Sequence, residues 1–170
     1  SKAGLTVKSG RECALIFHLI RALYILRPRQ TYSIISADSE PQHLKQFREW
    51  VDAQWDEVDP FSGVAGGISV PSPILAIDDQ KLLGGLAFTS SSIPGGEEAG
   101  IWVNALLVAT EYRRIGIASE LVKAAVVEAG RFKLKELFVY TDVPELYQKL
   151  SWCVVDGPGE STVLKRVVIN

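Results

Sequence analysis

Residues Ile101–Gly130, read as IWVNALLVATEYRRIGIASELVKAAVVEAG, decide the fold. The run from Ile101 to Val108 is apolar and β-branched, the composition of a buried strand. A short polar link follows from Ala109 to Arg114. Beyond it Ile117, Ala118, Leu121, Val122, Ala125, Val126 and Ala129 recur at helical spacing until Gly130 breaks the pattern. The stretch predicts strand, turn and helix in succession.

The turn Arg113-Arg114-Ile115-Gly116-Ile117-Ala118 takes its chemistry from where it lies. The first amides of a helix have no partner within it and carry the positive end of its dipole, so together they attract an anion. Gly116 lets a ligand oxygen approach the backbone without meeting a Cβ, and Ala118 keeps the next turn small. Arg113 and Arg114 add positive charge. A pyrophosphate fits such a turn, while the plainer reading is that Gly116 and Ala118 only let the helix pack closely on its strand. Neither G-x-x-x-x-G-K-[ST] nor G-x-G-x-x-G occurs, which removes two familiar phosphate loops.

The whole chain has 170 residues, the size of one domain, and its 47% hydrophobic content favours a globule over disorder. A net charge of −2 leaves no basic footprint for nucleic acid, so a small ligand is the expected partner. Cys13 and Cys153 are too few and too far apart for a disulfide scaffold, which makes a reducing cytoplasm the default location. His18 and His43 stand in neither a C-x-x-C nor an H-E-x-x-H context, so no metal is expected.

Upstream of the deciding stretch, Cys13–Leu26 is apolar except for His18 and Arg21. It falls short of the roughly 20 residues of a membrane span, and Arg27-Pro28-Arg29 stands where a cleaved leader would carry small residues. Residues 1–30 therefore read as an extension, with a helix docked on the domain or on a second copy in a homodimer. Attachment to a membrane surface is the minority reading. Residues 31–170 form the domain proper. Thr31–Ser36 reads as a first strand, and Ser39 with Gln42 fits a capping box before a helix that carries Leu44, Phe47, Val51 and Trp55 on one face. Pro60–Pro73 is a Gly-, Ser- and Pro-rich loop. Ile74–Ile77 and Lys81–Phe88 form a hairpin, and Glu136–Thr141 is a later strand. A short helix follows at Pro144–Leu150, with two final strands on either side of Gly157-Pro158-Gly159.

Arg113 to Ala118 matches the R/Q-x-x-G-x-G/A motif of the GNAT acetyltransferases, preceded by the usual strand end and Tyr-Arg pair at Tyr112-Arg113. Leu146-Tyr147-Gln148-Lys149-Leu150-Ser151-Trp152 resembles a second landmark of that family, F-Y-x-K-x-G-F, with Ser151 in place of its glycine. A serine there is strained if the turn needs a positive φ. Over about residues 31–170 the chain thus resembles a GNAT N-acetyltransferase. The resemblance implies an α/β fold, with a mixed, mostly antiparallel sheet, helices on both faces and a splayed central parallel pair. It also implies acetyl-CoA as cosubstrate, held by Leu106, Leu107 and Val108 on the strand and by Arg113, Arg114, Ile115, Gly116, Ile117, Ala118 and Ser119 in the loop.

The implied reaction moves an acetyl group directly from acetyl-CoA to a primary amine of a small molecule or peptide. Such a transfer needs a base for the amine and an acid for the departing thiolate. The resemblance makes Tyr147 the general acid, since a phenol of pKa about 10 holds its proton at neutral pH. The strand offers Trp102 and Asn104 but no carboxylate, which leaves a water chain or a carboxylate from another element as the base, with Glu97 and Glu98 as candidates. In the family the first helical region lines the acceptor side, so the resemblance makes Trp50, Asp56, Glu57 and Asp59 candidates for contact with the acceptor together with Asn104, with solvated charge as the plainer reading of the three acids. Ser151 and the missing strand carboxylate also suit an alternative, a non-catalytic acyl-CoA-binding regulatory or sensor domain.

Overall fold

Strand pairing organises the computed structural model of the protein, which describes residues 31–55, 68–156 and 161–169. Among the described residues the strands are β1 (Ser33–Ser36), β2 (Ile74–Asp78), β3 (Lys81–Ser92), β4 (Ala99–Val108), β5 (Glu136–Thr141), β6 (Cys153–Asp156) and β7 (Thr162–Val167). They join in one sheet of order β1-β2-β3-β4-β5-β7-β6. Every neighbouring pair is antiparallel except β4 and β5, which run parallel. A parallel pair needs a crossover, and α2 (Ile117–Arg131) provides it. The other described helices are α1 (Pro41–Gln54) and α3 (Pro144–Gln148), with 3₁₀ turns at Ala37–Ser39 and Thr110–Tyr112. None of them is long and apolar enough to cross a membrane.

Alternation of side chains along the strands divides the core between the two faces of the sheet. On one face Ile117, Leu121, Val122, Ala125 and Ala129 of α2 pack with Ile101, Val103, Leu137 and Val139, joined by Tyr147 of α3 and Trp152. On the other, Phe47 and Val51 of α1 pack against Leu75, Ile77, Leu82, Ala87 and Ala105. The approach of α1 is close: a Cβ on Gly85 would lie 2.7–2.9 Å from three ring carbons of Phe47. Helices on both faces of a mixed sheet match the arrangement expected from the sequence.

Two local expectations are corrected. Ser39 does not cap α1: the N-cap is Glu40, which makes no side-chain cap bond, and the Ser39 hydroxyl instead donates to the Ser36 carbonyl at 2.8 Å within the 3₁₀ turn. The chain tightens before the helix begins and so consumes the serine. β3 also runs past Phe88 to Ser92, because Thr89–Ser92 pair with Trp102–Ala99 of β4. Pairing overrides the weak strand preference of a serine run. The expected N-terminal helix, Asp56, Glu57, Asp59, most of the Pro60–Pro73 loop and the turn at Gly157-Pro158-Gly159 lie outside the described residues.

The turn after α3 does require the left-handed region, since Ser151 has φ +64°. Its geometry is held by Trp152 N–H donating to the Tyr147 carbonyl at 3.1 Å and by Arg166 Nη1 donating to the Ser151 carbonyl at 2.6 Å. A non-glycine residue in that region costs on the order of 1 kcal/mol. Ser151→Gly is therefore expected to raise the melting temperature by about 2–4 °C, the shift that ~1 kcal/mol produces in a chain of this length. Thermal unfolding followed by circular dichroism checks this, and a lower melting temperature would show that the serine contributes more than its strain costs.

Candidate functional site

β4 and β5 pair at only two positions, Trp102 with Phe138 and Val103 with Val139, and then part. β4 continues to Val108 against β3, and β5 continues to Thr141 against β7. The separation begins at a bulge. Ala87 faces Ala105 and Phe88 faces Val103, so Asn104 has no opposite residue on β3. An extra residue on one strand bends that strand and increases its local twist, which here carries the end of β4 away from β5.

The opening is a cleft of about 540 Å³. Its walls include Val103, Leu106, Val139 and Tyr147 from the α2 side, and Gln54, Trp55, Asn104, Tyr140 and Asp142. Gln54 and Trp55 end α1, which packs on the opposite face, so the cleft passes through the sheet. A ligand entering from one face can meet a second ligand entering from the other.

At the far end of β4 the chain is fastened before it turns into α2. Ala109 N–H donates to the Leu83 carbonyl at 2.9 Å, Tyr112 N–H to the Ala109 carbonyl at 2.9 Å, and Arg113 Nε to the Val108 carbonyl at 2.9 Å. Lys81 Nζ donates to the Tyr112 hydroxyl and lies over the Tyr112 ring, tying the link to the start of β3. Beyond these ties Arg114 has φ +63° and Gly116 φ +99°. Two successive departures into the left-handed region reverse the chain and leave Gly116 as the N-cap of α2, without a side-chain cap. Ile117, the first helical residue, is 1% exposed, and burying a side chain of that size stabilises by about 2 kcal/mol. The start of the helix is thereby anchored where its amides emerge.

The amides of Ile117, Ala118 and Ser119 have no acceptor inside the helix by its geometry. A Cβ built on Gly116 meets nothing within 4 Å, so the space in front of the turn is open. The glycine is required by its φ, since packing of the helix on its strand does not demand it. Close packing of the helix therefore does not explain Gly116. Arg114 and Ile115 are exposed at the same turn, and Glu120 on the first turn of α2 pairs with Lys123 at 2.8 Å.

Tyr147 is 2% exposed and packs edge-on against Trp152, with ring centroids 5.3 Å apart at 76°. Its side chain also lines the cleft. Burial pushes the phenol well above its ordinary value, and the nearby Asp142 carboxylate adds to the effect. Both causes disfavour the phenolate, so the hydroxyl keeps its proton throughout the neutral range.

Of the other residues singled out from the sequence, Leu106 and Asn104 reach the cleft, whereas Leu107 packs toward the α1 side. Arg113 spends its Nε on the strand end. Trp50 packs against the α1 core and is not part of the cleft wall, to which α1 contributes Gln54 and Trp55 one turn later. Glu97 and Glu98 are exposed in the β3–β4 turn and are likewise absent from that wall. Six steps along the strand lead from Glu98 to Asn104, roughly 20 Å at about 3.3 Å per residue. Asp142 and Tyr140 were not anticipated. They come to the cleft because β5 lies beside β4 through a crossover, and no local pattern in the sequence around them marks it.

The family model for the GNAT acetyltransferases matches residues 28–152. Among solved structures, Arabidopsis thaliana NAA60 in complex with acetyl-CoA superposes with a TM-score of 0.59 at 15% identity, over 81% of this chain and 100% of that one. A mosquito protein described as arylalkylamine N-acetyltransferase like 5b gives 0.60 at 13% identity over 81% and 100%. Arabidopsis thaliana Naa50, in complex with a bisubstrate analogue, gives 0.58 at 16% identity over 79% and 97%. No curated protein matches by sequence. With a family model covering most of its length and a sheet that divides at the central parallel pair, the chain belongs to the GNAT acetyltransferase family.

Proposed function

We propose that the protein transfers an acetyl group directly from acetyl-CoA to a primary amine of a small molecule or peptide. One observation carries this reading: the opening between β4 and β5 has an unoccluded left-handed glycine turn beyond one end and a buried, protonated phenol in its wall. Structural relatives crystallised with acetyl-CoA and with a CoA bisubstrate analogue support the same ligand.

In this reading the amides of Ile117, Ala118 and Ser119 receive the pyrophosphate, with Gly116 leaving room for its oxygens and Arg114 adding charge. Ile115 flanks the turn, and Arg113 holds it in place through its bond to Val108. The edge of β4 from Asn104 to Val108, freed of β5, offers backbone donors and acceptors to an extended pantetheine arm as a strand would. Leu106 contributes apolar wall. The amine approaches from the α1 side, past Gln54, Trp55 and Asn104. As its nitrogen bonds to the thioester carbon and the carbon–sulfur bond breaks, Tyr147 donates the phenolic proton to the thiolate and is later reprotonated by solvent. The ammonium proton leaves through water in the cleft, since Glu97 and Glu98 stand too far away to take it directly.

Gly116→Val is expected to weaken acetyl-CoA binding at least tenfold in calorimetry while the protein still folds, because a branched side chain resists φ near +100° and fills the open space before the amides. Unchanged affinity would remove the loop from the cofactor site. Tyr147→Phe should lower kcat by about 10²-fold, the low end for general acid catalysis, with acetyl-CoA affinity nearly unaltered. A kcat within a factor of three of the parent, measured where chemistry limits the rate, would make Tyr147 a packing residue. Since the Tyr147 pKa is raised, the acid form persists above the ordinary phenol value of about 10. The rate should therefore show no descending limb between about pH 9 and 10.5 that Tyr147→Phe abolishes, where an ordinary phenol would already lose its proton.

A further inference from the structure

The turn that opens α2 is strained and has to be held. Arg114 and Gly116 stand in the left-handed region at φ +63° and +99°, and a non-glycine residue persists there only where its surroundings fix it. Tyr112 N–H donates to the Ala109 carbonyl and Arg113 Nε to the Val108 carbonyl, bonds that close the link on itself and on the end of β4. Among the described residues, two hydrogen bonds reach from the link to another strand, both to β3. The Ala109 N–H bond to the Leu83 carbonyl holds the start of the link. Lys81 holds its end, two residues before Arg114, by donating to the Tyr112 hydroxyl with its ammonium 4.8 Å from the centre of the Tyr112 ring. The Glu111 carboxylate lies 4.0 Å from the same ammonium. Lys81 is itself well anchored, since it pairs with Asp78 across the β2–β3 turn, and His43 Nε2 fixes that turn to α1 by donating to the Gln80 carbonyl at 2.9 Å. Tyr112 in turn packs against the core beneath α2, so its ring meets that core and the ammonium together.

We propose that Lys81 is a positioning residue for the cofactor turn: through Tyr112 it holds the link and the Arg114–Gly116 bend in the shape that presents the first amides of α2 to an anion. The role rests on the acetyl-CoA reading for its ligand, and on the geometry of the free protein for its mechanism. An exposed pair of this kind adds little to global stability, because water screens it. What it adds is order in one short segment. A turn that is already bent binds without first losing its freedom, and the saving appears as affinity. The hydrogen bond to Tyr112 also raises the Lys81 pKa, so the ammonium that makes the tie stays charged at neutral pH.

Calorimetry with acetyl-CoA on the full chain, combined with amide exchange in the free protein, tests the role. Lys81→Met keeps most of the side chain and removes its charge. It should weaken acetyl-CoA binding about fivefold, the order that an exposed cation–π contact with its hydrogen bond supplies, while the melting temperature stays within about 1 °C of the parent. Exchange at the Tyr112 and Arg113 amides should quicken before any ligand is added. Lys81→Arg, which can still donate to the hydroxyl and lie over the ring, should restore both readouts. In a Tyr112→Leu background Lys81→Met should cost no further affinity, because the tie is already gone. Unaltered affinity in Lys81→Met would overturn the proposal. So would an equal loss in both backgrounds, or weaker binding with unchanged exchange, since either would make Lys81 a direct contact of the cofactor. A parent protein that binds no acetyl-CoA would sink the acetyl-CoA reading by itself, and exchange at Tyr112 and Arg113 would still decide whether Lys81 holds the turn.

Discussion

A central strand that gives up its hydrogen bonds on one side is the constraint on which the rest of this structure depends. β4 has β3 along its whole length but β5 over only two positions. Unpaired backbone groups inside a protein cost about 1–3 kcal/mol each unless water or a ligand satisfies them. The fold meets that requirement by keeping the gap open as a cleft through the sheet. The bulge at Asn104 starts the separation, and the well-filled cores on both faces hold the remaining strands in register around it. A gap of this kind is of little use to stability and of direct use to a reaction that brings two substrates together from opposite faces.

The surrounding parts follow from that gap. Tyr147 reaches the cleft because α3 packs on the α2 side with Trp152, and its burial keeps the phenol protonated. The turn at Gly116 sits beyond the end of β4 because the link from Ala109 to Arg113 is tied back to Leu83 and Val108. Asp142 is placed by the β4–α2–β5 crossover, which pairs Phe138 and Val139 of β5 with Trp102 and Val103 of β4 and carries the chain on to the cleft. Exposed ion pairs such as Lys123 with Glu120 contribute little to any of this, as solvent-screened pairs usually do.

Much of the architecture was legible in the sequence because it rests on local patterns. Helical spacing from Ile117 to Ala129 and the apolar run before it give the strand, turn and helix, and Gly116 marks the turn. Ser151 was legible as a strained substitution, and its positive φ bears that out. What was not legible depends on pairing between distant segments. The bulge at Asn104 exists only in the register of β4 against β3, and the extension of β3 through three serines is imposed by its partner. Ser39 has the chemistry of a cap, but the tight 3₁₀ turn before α1 uses its hydroxyl differently. Asp142 and Tyr140 carry no local signature, since only the crossover brings them to the cleft.

Amide hydrogen exchange with and without acetyl-CoA tests the central claim most directly, because it reads the backbone groups that the parted strands leave free. Saturating acetyl-CoA is expected to slow exchange at Asn104–Val108 on β4 and at Ile115–Ser119 at the start of α2, and to leave β1 and β2 unchanged. Protection confined to other parts of the sheet, or none at β4 despite measurable binding, would contradict the assignment of the β4–β5 opening as the cofactor slot.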